Sequence, residues 1–227
     1  MSMYTFIFLG MIPKSIRYKL NINVMAKSTQ TYFRRMFDAL FDDYAQNPNR
    51  RTFSSQMMSS QISDETAQTS DATKGFTKRE IIANSILVIL TGHETTASTL
   101  QFVLYHLVAH PTIQEQLYES VKDVDVQNYE QVRDCRYLDA IIKESMRLFA
   151  VAPFGLRTCT ETTDIAEGVT VERGTVVMWS SHNIHMDPNI HHEPHMFNPA
   201  RWEGNESITL QDDAWFAFGQ GPRSCPG

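Results

Sequence analysis

Cysteine is scarce: the 227 residues hold three, Cys135, Cys159 and Cys225, at spacings that fit no disulfide framework. That argues against a secreted, cross-linked protein. Dense basic runs are missing too. Lys plus Arg is 20 against 26 Asp plus Glu, a formal charge of −6, so the electrostatic footprint of a nucleic-acid binder is absent. The apolar stretch Met3 to Ile12 is about ten residues, and a membrane span needs ~18 or more. A secretory signal would place cations ahead of its apolar stretch, whereas Lys14, Arg17 and Lys19 follow it. The reading is neither a spanning segment nor a cleavable signal, with Met3 to Ile12 still able to dip into a membrane surface. There is no internal repeat and no nucleotide or flavin fingerprint. What is present, 42% apolar and 11% aromatic residues in strongly periodic segments, excludes wholesale disorder.

The periodicity is mostly helical. Tyr32, Phe33, Met36, Phe37, Leu40 and Phe41 recur at three- and four-residue spacing and predict a helix over 21–44, ended by Asn47-Pro48-Asn49. Thr52 to Lys74 is a polar connector with room for one weak helix. Thr77-Lys78-Arg79-Glu80 matches a capping box before an apolar run. It opens a helix that can continue from Lys78 to His110, where Pro111 marks the next boundary. At ~1.5 Å per residue that rod is about 50 Å long. From Ile81 to Leu90 it is apolar on nearly all sides, which suits a helix threading a core. Thr91-Gly92-His93-Glu94-Thr95-Thr96 interrupts this apolar pattern. Further helices are expected over 112–124 and 137–149, the latter with Leu138, Ile141, Ile142, Ser145 and Phe149 on one face. Short β-type runs over 164–179, punctuated by Gly168 and Gly174, predict hairpin strands, and the remainder reads as loop. The fold class is mainly α with a small β region.

The chemistry concentrates at the end of the chain. In Phe218-Gly219-Gln220-Gly221-Pro222-Arg223-Ser224-Cys225-Pro226-Gly227 one thiol lies in a glycine-rich loop close behind an arginine. An isolated cysteine is usually a buried structural residue. Here the glycines let backbone N–H groups turn toward a sulfur, and Arg223 can neutralise an anion beside it. The F-x-x-G-x-R-x-C-x-G pattern resembles the haem-binding loop of the cytochrome P-450 family. Thiolate ligation of haem iron is that family's known mode and is carried over from it. The resemblance implies that Cys225 is the axial ligand of a haem b (iron protoporphyrin IX), that Arg223 pairs with a propionate, and that Phe218 shields the sulfur.

Other stretches match the family in order. Glu144 and Arg147 resemble its E-x-x-R; taken alone they would be a routine helix ion pair worth about 0.2–0.5 kcal/mol. With Arg201 of Phe197-Asn198-Pro199-Ala200-Arg201-Trp202, the resemblance implies a buried structural cluster. Gly92-His93-Glu94-Thr95-Thr96 resembles G-x-[DE]-T-T, which makes Glu94 and Thr95 candidates for ordering water and delivering protons for dioxygen cleavage. Without the haem loop, such a mid-helix threonine would be read as bonding back to its own helix. Arg157 matches the arginine for the second propionate. Leu87, Leu90 and Thr91 on the long helix, with Val151, Ala152 and Phe154, are expected to line a largely apolar substrate cavity. Two positions depart from the pattern: Ala150 stands where proline is common, and Thr91 where alanine or glycine is usual. The histidines His182, His185, His191, His192 and His195 have zinc-like spacings but lack a matching ligand set, so no separate metal site is assigned.

The match is to the C-terminal half of the fold, closest to the microsomal drug- and steroid-oxidising members. Residues 1–75 form a helical segment and connector, and 76–227 run from the oxygen-activation helix to the haem loop. The family's N-terminal half and the helix after the cysteine are not in this sequence. The expectation is that this length of chain folds poorly and binds haem weakly, because apolar faces lack partners. By resemblance the whole protein would be a monooxygenase acting on a lipophilic small molecule with O2 and electrons from NADPH through a flavoprotein reductase. It would sit at the cytosolic face of the endoplasmic reticulum membrane. Two alternatives stand beside this: an isomerase on the same scaffold, and a truncated, non-catalytic product.

Overall fold

The computed structural model describes residues 27–48, 51–63, 75–203 and 214–226. They fall into two compact units whose boundary lies between Thr91 and Gly92. Met3 to Ile12, the start of the first expected helix, much of the connector and Gly227 lie outside the described residues.

In the first unit, α1 (Lys27–Gln46) buries Phe33 and Phe37, one helical turn apart. Its Leu40, Phe41 and Tyr44 pack on Met57 and Met58 of α2 (Phe53–Ser59) and on Ile81. The weak helix allowed for in the connector is α2. It forms where Thr52 and Ser55 exchange cap bonds: Ser55 N–H donates to Thr52 Oγ1 at 3.1 Å and Thr52 N–H to Ser55 Oγ at 2.8 Å. The third helix, α3 (Lys78–Ala109), starts at the expected box. Thr77 N–H and its hydroxyl both donate to Glu80 Oε2, at 2.8 and 2.9 Å, and these bonds hold the Glu80 carboxyl below its ordinary pKa.

Helix α3 runs unbroken for 32 residues. The polar interruption does not unwind it, and hydroxyls find acceptors on their own helix: Thr91 Oγ1 donates to Leu87 O at 2.8 Å and, beyond the interruption, Thr99 Oγ1 to Thr95 O at 3.0 Å. One expectation is corrected. The run ending at Leu90 is not buried on all sides; Leu87 is 57% exposed and Leu90 48%. Helices α1 and α2 pack on Ile81, and burial of the rod continues to Ser85, whereas Leu87 to Leu90 stand exposed.

The second unit is built on α4 (Pro111–Val121), α5 (Tyr129–Arg133) and α6 (Arg136–Leu148), with the later part of α3. Its apolar core joins Val103, Ile141 and Phe197, with Leu107, Ile113, Leu117, Tyr137, Ile142 and Leu148 packed around them. His106 stacks face to face on Phe197, centroids 4.3 Å apart. The buried face of α6 includes Ile141 and Ser145 of the expected stripe but extends beyond it. It consists of Ala140, Ile141, Glu144, Ser145, Met146 and Arg147, while Phe149 caps the helix and is 40% exposed. A charged pair occupies the centre because tertiary partners satisfy it, which apolar periodicity does not register.

Two antiparallel ladders follow. The first pairs β1 (Gly155–Thr158) with β4 (Val176–Trp179), and the second pairs β2 (Thr163–Ala166) with β3 (Val169–Val171). In the first, Arg157 faces Val177 across the ladder. Gly155 has to be glycine there, since a Cβ would overlap the Trp179 indole. The tail expected to be loop also contains α7 (Ser181–His185) and 3-10 turns at Pro199–Trp202 and Gly221–Arg223. Helix α7 forms because Ser180 Oγ accepts Asn183 N–H at 3.1 Å. Among the described residues, no helix is long and apolar enough to cross a membrane.

Candidate functional site

The centre of the second unit is a saturated ion pair. Glu144 and Arg147 lie at i and i+3 on α6, and both side chains are fully buried. Arg147 Nε and Nη2 donate to the two carboxylate oxygens of Glu144, each at 2.9 Å. Its remaining N–H groups go to backbone: Nη1 to His185 O at 2.8 Å and Pro194 O at 2.7 Å, and Nη2 to Met196 O at 3.2 Å. Glu144 in turn accepts from Asn198 N–H at 3.0 Å, Trp202 Nε1 at 2.9 Å and Arg201 Nε at 3.4 Å. Burial pushes the Glu144 carboxyl up, but the hydrogen bonds and charge of Arg147, with Asn198 and Trp202, outweigh it and hold the carboxyl below its ordinary value. The structure thus brings Glu144, Arg147 and Arg201 together and ties the 185–202 stretch to α6.

Downstream of this hub the chain turns toward the thiol. Trp215 Nε1 donates to Lys143 O at 3.3 Å, and the Trp215 ring meets Trp202 at 6.5 Å and Phe218 at 5.7 Å, both edge-on. The loop closes where Cys225 N–H donates to Phe218 O at 2.8 Å and Ser224 N–H to Gly221 O at 3.0 Å. Gly219 and Gly221 sit at φ of 71° and 79°, the left-handed region that this closure requires and that favours glycine. Cys225 is exposed.

Arg157 reaches the same loop from β1, its Nη2 donating to Arg223 O at 3.3 Å and its guanidinium lying over the Trp179 ring at 5.0 Å. Arg157, Phe218, Arg223 and Cys225 are all exposed, and the bonds that link them run through the backbone of the loop. An accessible thiol in a loop that also carries Arg223 and Phe218, and that Arg157 reaches through a backbone carbonyl, is a donor set whose chemistry fits an iron porphyrin, which offers a metal, two carboxylates and a flat apolar face. Glu94 and Thr95 stand exposed on α3. Of the expected cavity lining, Leu87, Leu90 and Thr91 belong to the first unit, whereas Val151, Ala152 and Phe154 precede β1 in the second. An open depression lined by Asn128, Gln131, Asp134 and Tyr137 contains none of the named residues.

Several residues of the site were not found by sequence reasoning. His185 and His191 are wholly buried, and Phe216 N–H donates to His185 Nε2 at 2.9 Å. Their only sequence signal was the histidine spacing, which suggested metal; among the described residues no group of His, Cys, Asp and Glu is placed to hold one. Burial pushes both imidazoles down from 6.5 to about 4, helped at His185 by the neighbouring His191 and at His191 by the charge of Arg147. Arg201 adds to this at His191, where Glu144 and Asp187 oppose it. The consequence has a definite sign. Above pH 6.5 both rings are neutral folded or unfolded; between about 6.5 and 4 only the unfolded chain takes the protons. Stability is expected to be full at pH 7 and to fall steadily over that window. Urea midpoints at pH 7.5, 6 and 5 check this, and a flat profile would refute it.

A model of the family described as Cytochrome P450 matches residues 1–227. Cytochrome P450 3A31 of Mesocricetus auratus is 34% identical over 97% of this chain and 44% of its own length. Cytochrome P450 3A6 of Oryctolagus cuniculus is 30% identical over 92% of this chain and 42% of its own. Cytochrome P450 3A7 of Homo sapiens is 33% identical over 73% of this chain and 34% of its own. The chain spans less than half the length of these relatives. The matched profile and the exposed thiol loop converge: the chain belongs to the cytochrome P450 family.

Proposed function

We propose that this chain carries the haem-binding part of a monooxygenase that inserts one atom of O2 into a lipophilic small molecule, with electrons from NADPH through a flavoprotein reductase. The observation that supports it best is the junction at which Arg157 reaches Arg223 O at 3.3 Å beside the loop closed by Cys225 N–H on Phe218 O. Haem bound there supplies the activation of dioxygen. Cys225 holds the iron through its sulfur. Arg157 and Arg223 orient the two carboxylates, and Phe218 keeps water from the sulfur. Thr95, through its hydroxyl, and Glu94, through its carboxylate, hold and pass protons on the α3 face. The apolar residues Leu87, Leu90, Val151, Ala152 and Phe154, with Thr91, select substrates by shape and hydrophobicity. The same reading puts the protein at the cytosolic face of the endoplasmic reticulum membrane.

Haem uptake tests the cofactor assignment directly. A chain that binds haem and gives a strongly red-shifted carbon monoxide band supports it; an ordinary carbonyl-haem band sinks it. Arg157→Leu is expected to weaken haem binding by about tenfold or more, the worth of one charged hydrogen bond. The dimethyl ester of haem lacks the carboxylates, so the same substitution should leave its affinity unchanged. Equal losses for acid and ester would mean that Arg157 only supports the fold.

A further inference from the structure

His185 has no role in the reading above, yet it is bonded on both sides. Its carbonyl accepts Arg147 Nη1 at 2.8 Å, and its Nε2 accepts Phe216 N–H at 2.9 Å. Since the peptide N–H has to donate, Nε2 carries no proton and the ring proton resides on Nδ1. Nδ1 is itself buried and has no hydrogen-bond partner among the described residues. A buried N–H without an acceptor is destabilising. The ring keeps that unfavourable tautomer because Phe216 takes its acceptor.

Phe216 is where the thiol loop begins. Its carbonyl accepts Gly219 N–H at 3.1 Å, and the Phe218 carbonyl then accepts Cys225 N–H at 2.8 Å. The backbone bond to His185 thus sits at the root of a short hydrogen-bonded series that ends at the sulfur-bearing residue. Trp215 docks on Lys143 O through its indole, a bond that fixes a side chain rather than a peptide group. His185 grips the main chain itself.

We propose that His185 is a positioning residue for the thiol loop: by accepting Phe216 N–H it transmits the fixed position of the Glu144–Arg147 hub to the backbone that presents Cys225. Its functional meaning rests on the haem-thiolate reading, whereas the bond itself is a property of the polypeptide.

Three variants of the chain test this: His185→Leu, His185→Gln and His191→Leu, each checked for helix content by circular dichroism. Two quantities are read: the exchange rate of the Phe216 amide, and the share of the haem–carbon monoxide complex in the red-shifted thiolate band. His185→Leu is expected to speed Phe216 exchange about tenfold, as loss of one buried hydrogen bond implies, and to move most of the carbonyl complex to the ordinary position. His185→Gln keeps an acceptor oxygen and is expected to restore both. His191→Leu should move neither, because the His191 ring nitrogens make no hydrogen bond among the described residues. Unchanged Phe216 exchange in His185→Leu overturns the proposal. So does an equal effect of His191→Leu, which would mark general core damage. If His185→Leu does not fold, lost Phe216 protection in His185→Gln overturns it and retained protection upholds it. A parent chain that takes up haem without a thiolate band defeats the haem-thiolate reading alone; Phe216 exchange then decides on the His185 clamp without it.

Discussion

Cys225→Ser, loaded with haem, reduced with dithionite and exposed to carbon monoxide, is expected to lose the red-shifted Soret band of the parent chain entirely. The physical reason lies in the ligand atom. A thiol near an iron is deprotonated and binds as an anionic, polarisable sulfur, whereas an alcohol stays neutral at pH 7 and is a poor ligand. The loop itself should survive the change, since its closure uses the backbone N–H of residue 225 and the left-handed glycines Gly219 and Gly221. The two cationic groups, Arg157 and Arg223, also remain. Haem uptake should therefore persist at reduced affinity while the spectral signature vanishes. A Cys225→Ser chain that kept the red-shifted band would show that Cys135 or Cys159 is the ligand, or that none of the three is.

The second large effect is expected at Glu144. Glu144→Leu removes the counter-charge of a guanidinium with no solvent exposure and leaves Asn198 N–H and Trp202 Nε1 without their acceptor. Stranding one partner of a buried ion pair costs about 3–5 kcal/mol, so the urea midpoint of the second unit should fall steeply. Arg147→Leu should cost a similar amount, because it strands the carboxylate and frees the carbonyls of His185, Pro194 and Met196. The double variant carries neither buried charge. Its loss should be clearly smaller than the sum of the two single losses, the mark of a directly coupled pair. Trp202 and Trp215 make fluorescence a local reporter of this transition. A Glu144→Leu chain with an unchanged midpoint would mean that the pair is dispensable to the fold.

Local patterns in the sequence carried real information about elements. The box at Thr77 and Glu80 placed the start of α3, and Pro111 stands just past its end at Ala109. Both are near-neighbour effects: a side chain capping its own helix, and a ring that blocks a backbone bond. The burial of the run up to Leu90 was misjudged for the opposite reason. Apolarity states what a surface prefers to touch, not whether a neighbour is there: Ile81 is buried against α1 and α2, whereas Leu87 to Leu90 are exposed. The buried face of α6 shows the same limit. Glu144 and Arg147 have no apolar signal, and they are buried because carbonyls, an indole and an amide from 38 to 58 residues away satisfy them.

The sequence by itself determined the type and order of most elements, the family resemblance, and the identity of the candidate thiol and its arginines. Each of these is written in residue types at short, fixed spacing. Only the tertiary structure decided that Trp202 and Asn198 join the cluster of Glu144, Arg147 and Arg201 that the resemblance implied, that Arg157 meets the Arg223 carbonyl, and that His185 serves as an acceptor for Phe216. Such bonds depend on where distant segments come to rest once the core has closed. A histidine reads the same in a sequence whether it is solvated, bound to metal or gripping a peptide N–H; burial and its one available partner make it the last of these.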